Sequence, residues 1–258
     1  MISSIIFTVL LVATAVIFIR RIAEIKGNIN LGRDLDLSDN PSERWKTMAR
    51  VALGQSKMVA RPLAGFMHIL IYVGFVLINI EILEIIIDGV FGTHRLFYGL
   101  IGSDLYYALI GSFELLAFLV LVACVVFLIR RNIGKLKRFS GTEMTKWPKN
   151  DGNFILYFEV VLMCLFLTMN ATDLQFQAMD SGNVISQFIE PLFSGFSESA
   201  LHIIERSAWW IHIIGILIFL NYLYYSKHLH ILLAFPNTYY GSLKPKGELD
   251  NLEAVTKE

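Results

Sequence analysis

The chain has 258 residues, 55 % of them hydrophobic, and its 22 basic and 22 acidic side chains cancel to zero formal charge. So apolar a composition at this length excludes an ordinary soluble domain, and the lack of a basic excess excludes a nucleic-acid footprint. Cys124 and Cys164 each sit inside an apolar run with no C-x-x-C spacing. They give no zinc or iron–sulfur motif and no arguable disulfide, and they read as packing residues.

Residues 2–20 form the first apolar segment, and its charges, Arg20 and Arg21, follow it. A signal peptide shows the reverse order, so a membrane-spanning helix is expected. Residues 20–61 read as a polar loop. The second span is expected over 62–90, with Pro62 tolerated in its first turn. It carries His68 near its start and Glu81, Glu84 and Asp88 near its end. The third and fourth spans are expected over 104–130 and 153–171, each with one internal carboxylate, Glu114 and Glu159, that could relay protons or bond between helices. Residues 172–201 read as a polar loop with a short amphipathic helix near 184–193. The fifth span is expected over 203–234, and residues 237–258 as a hydrophilic tail.

This pattern is an all-α, five-helix membrane bundle. Twenty of the twenty-two Lys and Arg residues fall at 20–61, at 130–149 and from Lys227 onward. By the positive-inside rule that side is cytoplasmic, so the amino terminus is outside and the carboxy terminus inside. A multi-pass protein of a bacterial inner membrane is expected.

The fifth segment, LHIIERSAWWIHIIGILIFLNYLYYSKHLHILLAFP, holds four of the six histidines. His212 and His230 are 18 residues apart, about five helical turns, so on one continuous helix they share a face roughly 27 Å apart. His228 would point elsewhere. Polar rings are costly in a bilayer and mark function, and inward imidazoles of a helix bundle are a usual way to hold haem iron. These residues therefore point to a membrane cytochrome b. The competing reading, from another class, is a haem-free membrane anchor or assembly subunit in which the histidines merely pack.

Five spans, a histidine early in span two and H-x17-H on span five resemble the gamma subunit of respiratory nitrate reductases. The text YSKHLHILLAFPNTYY is similar to the membrane domain of heterodisulfide-reductase-related iron–sulfur oxidoreductases. The resemblance covers roughly residues 1–245. It implies b haem, one or two, with His230 sharing an iron with His68 and His212 serving a second. The second span-two histidine of that family is here Ile78, so the second iron lacks its expected partner; His94 or His202 could substitute, or a single haem is present. The same resemblance implies electron transfer between a quinone pool, menaquinone in the first instance, and a cytoplasmic iron–sulfur protein or subunit.

Quinone chemistry also needs proton acceptors near a membrane surface. The segment DGVFGTHR brings Asp88, His94 and Arg95 to the outer end of span two, with Glu81 and Glu84 just inside. Glu81, Glu84, His94 and Arg95 are the candidate quinone and proton site. Equally weighted is an ion pair of the two glutamates with Arg206. Trp209, Trp210, Tyr106 and Tyr107 read as an outer aromatic belt, and Tyr222, Tyr224 and Tyr225 as an inner one. Gly74 and Gly215 read as close-approach positions between helices, with room for a porphyrin as the second use.

Overall fold

In the computed structural model, which describes residues 1–58, 61–134, 141, 146–179, 181–245 and 247–248, the chain is all-α. Five helices are long and apolar enough to cross a membrane: α1 (Ile2–Ile29), α3 (Pro62–Phe91), α5 (Ser103–Asn132), α6 (Trp147–Thr172) and α8 (Glu198–Tyr222). Four shorter helices lie at their ends: α2 (Pro41–Met48), α4 (Leu96–Ile101), α7 (Leu174–Ala178) and α9 (His230–Tyr239). Of the tail expected over 237–258, residues 249–258 lie outside the described residues, as does most of the basic stretch at 135–145.

The helix starts and stops follow local chemistry. Pro62 opens α3 and Gly92, with φ of 72°, closes it in the left-handed region that glycine adopts without strain. Asp173 and Ser197 cap α7 and α8 by accepting the amide protons of Phe176 and Ala200. α1 runs past Arg20 and Arg21 to Ile29, well beyond the expected end at residue 20. Charged side chains are good helix formers once outside hydrocarbon, and no glycine or proline interrupts before Gly27.

Packing runs in sequence order: α3 against α5, α5 against α6, α6 against α8. α1 closes the ring, touching α3 and α8. The interior is built from Ile110, Phe113, Ala117, Phe166 and Ile213, all essentially inaccessible, while Val9, Leu83, Val122, Val161 and Ile218 face outward. Apolar exterior on every long helix is what a bilayer solvates and water does not. α1 is the loosest member, Phe7 being its one buried residue. That ring lies on Gly89 of α3, where a methyl group would meet ring carbons at 2.5 to 2.8 Å, and beside Trp209.

Two expectations are corrected. The fifth span is not one helix over 203–234. α8 ends at Tyr222, two 3-10 turns follow, and Ser226 between them is extended (φ −103°, ψ 152°) before α9 begins at His230. The break is held by Asp151 of α6, buried, which accepts the Tyr222 hydroxyl at 2.6 Å and the Lys227 amide at 3.1 Å. Likewise the helix expected near 184–193 is two 3-10 turns, Ser186–Phe188 and Glu190–Phe193, in a segment folded over the end of the bundle. Glu114 of α5 explains that fold: its carboxylate accepts the amides of Ile185 and Ser186 and the Asn170 side chain. Both its oxygens are engaged in structural bonds, which favours the interhelix bond over the relay.

The glycines serve helix approach. A methyl at Gly74 would meet Val120 of α5 at 2.5 Å, and one at Gly215 would meet Leu162 of α6 at 3.0 Å. Replacing Gly89 by Val should displace Phe7 and loosen α1, lowering stability in detergent by about 1–3 kcal/mol in a thermal melt. Gly99→Ala, where nothing lies within 4 Å, should leave the melt unchanged.

Candidate functional site

Two polar sites occupy opposite ends of the bundle. At one end His68, one turn and a half into α3, is half-buried, and its Nδ1 is buried without a hydrogen-bond partner. The break after α8 turns the chain so that α9 begins there. His230, exposed at its first position, has Nδ1 at 2.9 Å from the Lys227 carbonyl. His228 lies beside it, ring centroids 5.6 Å apart, and stands edge-on to Phe219. Burial, with His230 and His68 adding to it against Asp151, pushes the His228 imidazole down to about 4. Three imidazoles thus share one end. The expectation that His228 points away from His230 fails because the helix assumed for it ends at Tyr222.

His212 does not join them. It is buried in α8 with Nδ1 at 3.0 Å from the Leu162 carbonyl of α6 and its ring near Phe166. His202 is exposed on α8. Among the described residues no three His, Cys, Asp or Glu side chains are grouped to hold a free metal ion.

At the other end a cavity of about 280 Å³ opens between α1, α3, α8 and the turns after α3 and α6. Glu81, Glu84, His94 and Arg95 all line it, with Asp88, Asp173, Glu205, Arg206, Trp209 and Trp210. The turn after Gly92 is built by Asp88, which accepts the Thr93 hydroxyl and the amides of Arg95 (2.7 Å) and Leu96 (3.3 Å). That aims the Arg95 side chain inward. Its guanidinium donates to Asp173 at 3.0 Å, to the Tyr106 hydroxyl at 3.2 Å and to Asn170 at 3.1 Å, and it lies 4.2 Å over the Phe176 ring. Burial disfavours this cation, yet Tyr106, Asp173 and Glu81 outweigh burial and raise its pKa above the ordinary value. Burial likewise opposes the Asp173 charge, but His94, Arg95 and the Phe176 amide hold that carboxyl well below the usual range.

Each neighbouring carboxylate is engaged. Glu84 accepts the Phe97 amide at 2.8 Å and the Tyr106 hydroxyl at 3.2 Å. His94 Nε2 is 3.4 Å from Asp173. Arg206 pairs with its neighbour Glu205 and not with Glu81 or Glu84, so the ion pair weighed from sequence is replaced. Glu81 alone keeps a buried carboxylate oxygen, Oε2, with no partner. Tyr106, expected in an aromatic belt, is fully buried in this network, and Trp209 is buried beside the cavity. Asp173, Asn170 and Glu205 were not legible as site residues, because their partners lie far away in sequence or on a face that periodicity alone does not identify.

Five bilayer-length helices with lipid-like exteriors and a polar site at each end define a multi-pass membrane protein. No family model and no solved structure matches the chain. It is similar to the probable iron-sulfur-binding oxidoreductase FadF of Bacillus subtilis (strain 168), 26 % identical over 234 residues. The match takes in 89 % of this chain and 32 % of that protein, so the chain spans about a third of its relative's length. It is thus distantly similar to a probable iron-sulfur-binding oxidoreductase.

Because Asp173 is the counter-ion of a buried Arg95, Asp173→Asn should cost roughly 3–5 kcal/mol in a thermal melt near neutral pH. The sign follows from its depressed pKa: the stabilisation is complete above about pH 4 and is lost as pH falls through the folded value below that. The difference between variant and wild type should therefore shrink in acid and stay constant from pH 6 to 8.

Proposed function

We propose that the chain is a membrane cytochrome b unit that passes electrons between a quinone and an iron–sulfur oxidoreductase partner. The observation that carries this is the histidine end. His68 presents a buried, unpartnered Nδ1, and His230 is anchored through its own Nδ1, 2.9 Å from the Lys227 carbonyl. An imidazole fixed by a backbone carbonyl through one nitrogen, with the other free, is the arrangement of a haem or metal ligand. These two residues fit one b haem, held between α3 and the start of α9. Bound there, the haem supplies a one-electron iron couple. His68 and His230 would hold it, and Asp151 would keep the α8–α9 break at the geometry that presents His230. His212 has the same carbonyl-anchored Nδ1, on Leu162, but its ring is buried against α6 near Phe166 with no room for a porphyrin beside it, so a single haem is the reading favoured.

The cavity end suits quinone. Its tryptophans give a flat apolar wall, Arg95 a fixed cation, and Glu81 a free carboxylate. Along α3, Glu81 is 13 residues from His68, about 20 Å, so the two ends lie on opposite sides of the hydrocarbon. Arg61 before α3, Arg131 at the end of α5, Lys149 in the first turn of α6 and Lys227 lie at the histidine end, and with the basic excess of the sequence on that side this supports reading it as cytoplasmic and the amino terminus as external. A bacterial inner membrane with menaquinone as the quinone is the corresponding setting. The partner is a cytoplasmic iron–sulfur protein or domain, in keeping with the similarity to a longer, probable iron-sulfur-binding oxidoreductase.

A pyridine haemochrome measurement on purified protein should give one haem per chain. His68→Ala and His230→Ala should each lose the reduced α band near about 560 nm, whereas His228→Ala should keep it. Colourless wild-type protein, or a band untouched by both ligand substitutions, would overturn the assignment.

A further inference from the structure

The cavity holds several acidic groups, and their hydrogen bonds separate them into two kinds. Asp88 accepts three donors from the turn that follows α3. Glu84 accepts one donor on each oxygen. Asp173 holds Arg95, His94 and the Phe176 amide. Glu205 is taken by Arg206. From α5, Glu114 reaches toward this region but is filled by three donors of its own. A carboxylate bonded to donors on both oxygens is held rigid with its lone pairs engaged and makes a poor proton exchanger.

Glu81 differs. It lines the cavity, is only 3 % exposed, and its Oε2 is buried without a partner. A polar atom left unsatisfied in a bilayer-level interior is costly, so this one calls for a donor from a ligand. Arg95 is close enough to feel the Glu81 charge but spends its own donors on Asp173, Tyr106 and Asn170. It therefore acts as a fixed positioning cation and leaves the ligand's hydroxyl to Glu81.

We propose that Glu81 is the proton-exchanging carboxylate of this cavity, taking the ring-hydroxyl proton of a bound hydroquinone, while Glu84, Asp88 and Asp173 are structural struts. This rests on the quinone part of the function proposed above. In the step, the hydroquinone O–H bond breaks, the proton bonds to Glu81, and the ligand is left as its anion. No electron moves in it. The reverse step returns the proton to a reduced ring.

The test uses menadiol, a tail-less naphthohydroquinone, under anaerobic conditions, with binding read from quenching of Trp209 and Trp210. Between pH 8.5 and 5.5 wild-type affinity should fall about tenfold, roughly 1.4 kcal/mol, as protons compete with the ligand's hydroxyl for the one open carboxylate oxygen of the cavity. Glu81→Gln should bind with no pH slope and melt no lower than wild type, since it loses no internal bond. Glu84→Gln should melt lower, through the loss of its strut, and keep the slope. If Glu81→Gln retains the wild-type slope, or Glu84→Gln abolishes it, the assignment to Glu81 is wrong while the quinone site stands. If wild-type protein binds no menadiol at any pH, the quinone site itself falls and this inference with it.

Discussion

Hydrocarbon offers no hydrogen bonds, so a polar group inside a membrane bundle must find its partner within the protein. That constraint organises this fold. Glu114, Asn170, Asp173, Arg95, Tyr106 and Glu84 form one chain of bonds that lashes the turns after α3 and α6 to α5. At the opposite end Asp151 does the same for the turn after α8, and Arg44 ties α2 to α9 through the Tyr239 and Gly241 carbonyls. Against that background, among the described residues, His68 Nδ1, Glu81 Oε2, Arg130 Nε and Asn221 Oδ1 are buried without a partner, and the first two lie on α3, one near each end.

Rigid networks around His68 and Glu81 are what the proposed electron-transfer role requires. Ligand and proton groups have to be held in place before the ligand arrives, and a frame of engaged carboxylates does so without competing for it. The helices themselves meet at small residues, Gly74 against Val120 and Gly215 against Leu162, so the bundle is tight where it is apolar. Room is left at the cavity end, where about 280 Å³ opens between α1, α3 and α8.

Much of this was legible in the sequence and some was not, for a physical reason. Five apolar runs gave five helices, and α3 could be bounded almost to the residue because Pro62 and Gly92 are local signals. Grouping Glu81, Glu84, His94 and Arg95 needed only helix spacing plus one turn, and the cavity brings them together. The end of α8 had no such signal. YLYYSKHL contains neither glycine nor proline, and the helix stops because Asp151, 71 residues from Tyr222 in sequence, fastens the turn. His228 was misplaced for the same reason. Arg95 was legible as a site residue but not as a strut, since Asn170 and Asp173, its partners, are 75 and 78 residues away.

The most direct measurement joins both ends of the molecule in one experiment. Oxidised, purified protein is mixed anaerobically with menadiol and its visible spectrum followed. The proposed function predicts that the reduced α band near about 560 nm develops on mixing. A protein that shows this band with dithionite but never with the hydroquinone, or shows none with either, contradicts a haem at His68 and His230 fed from the Glu81 cavity.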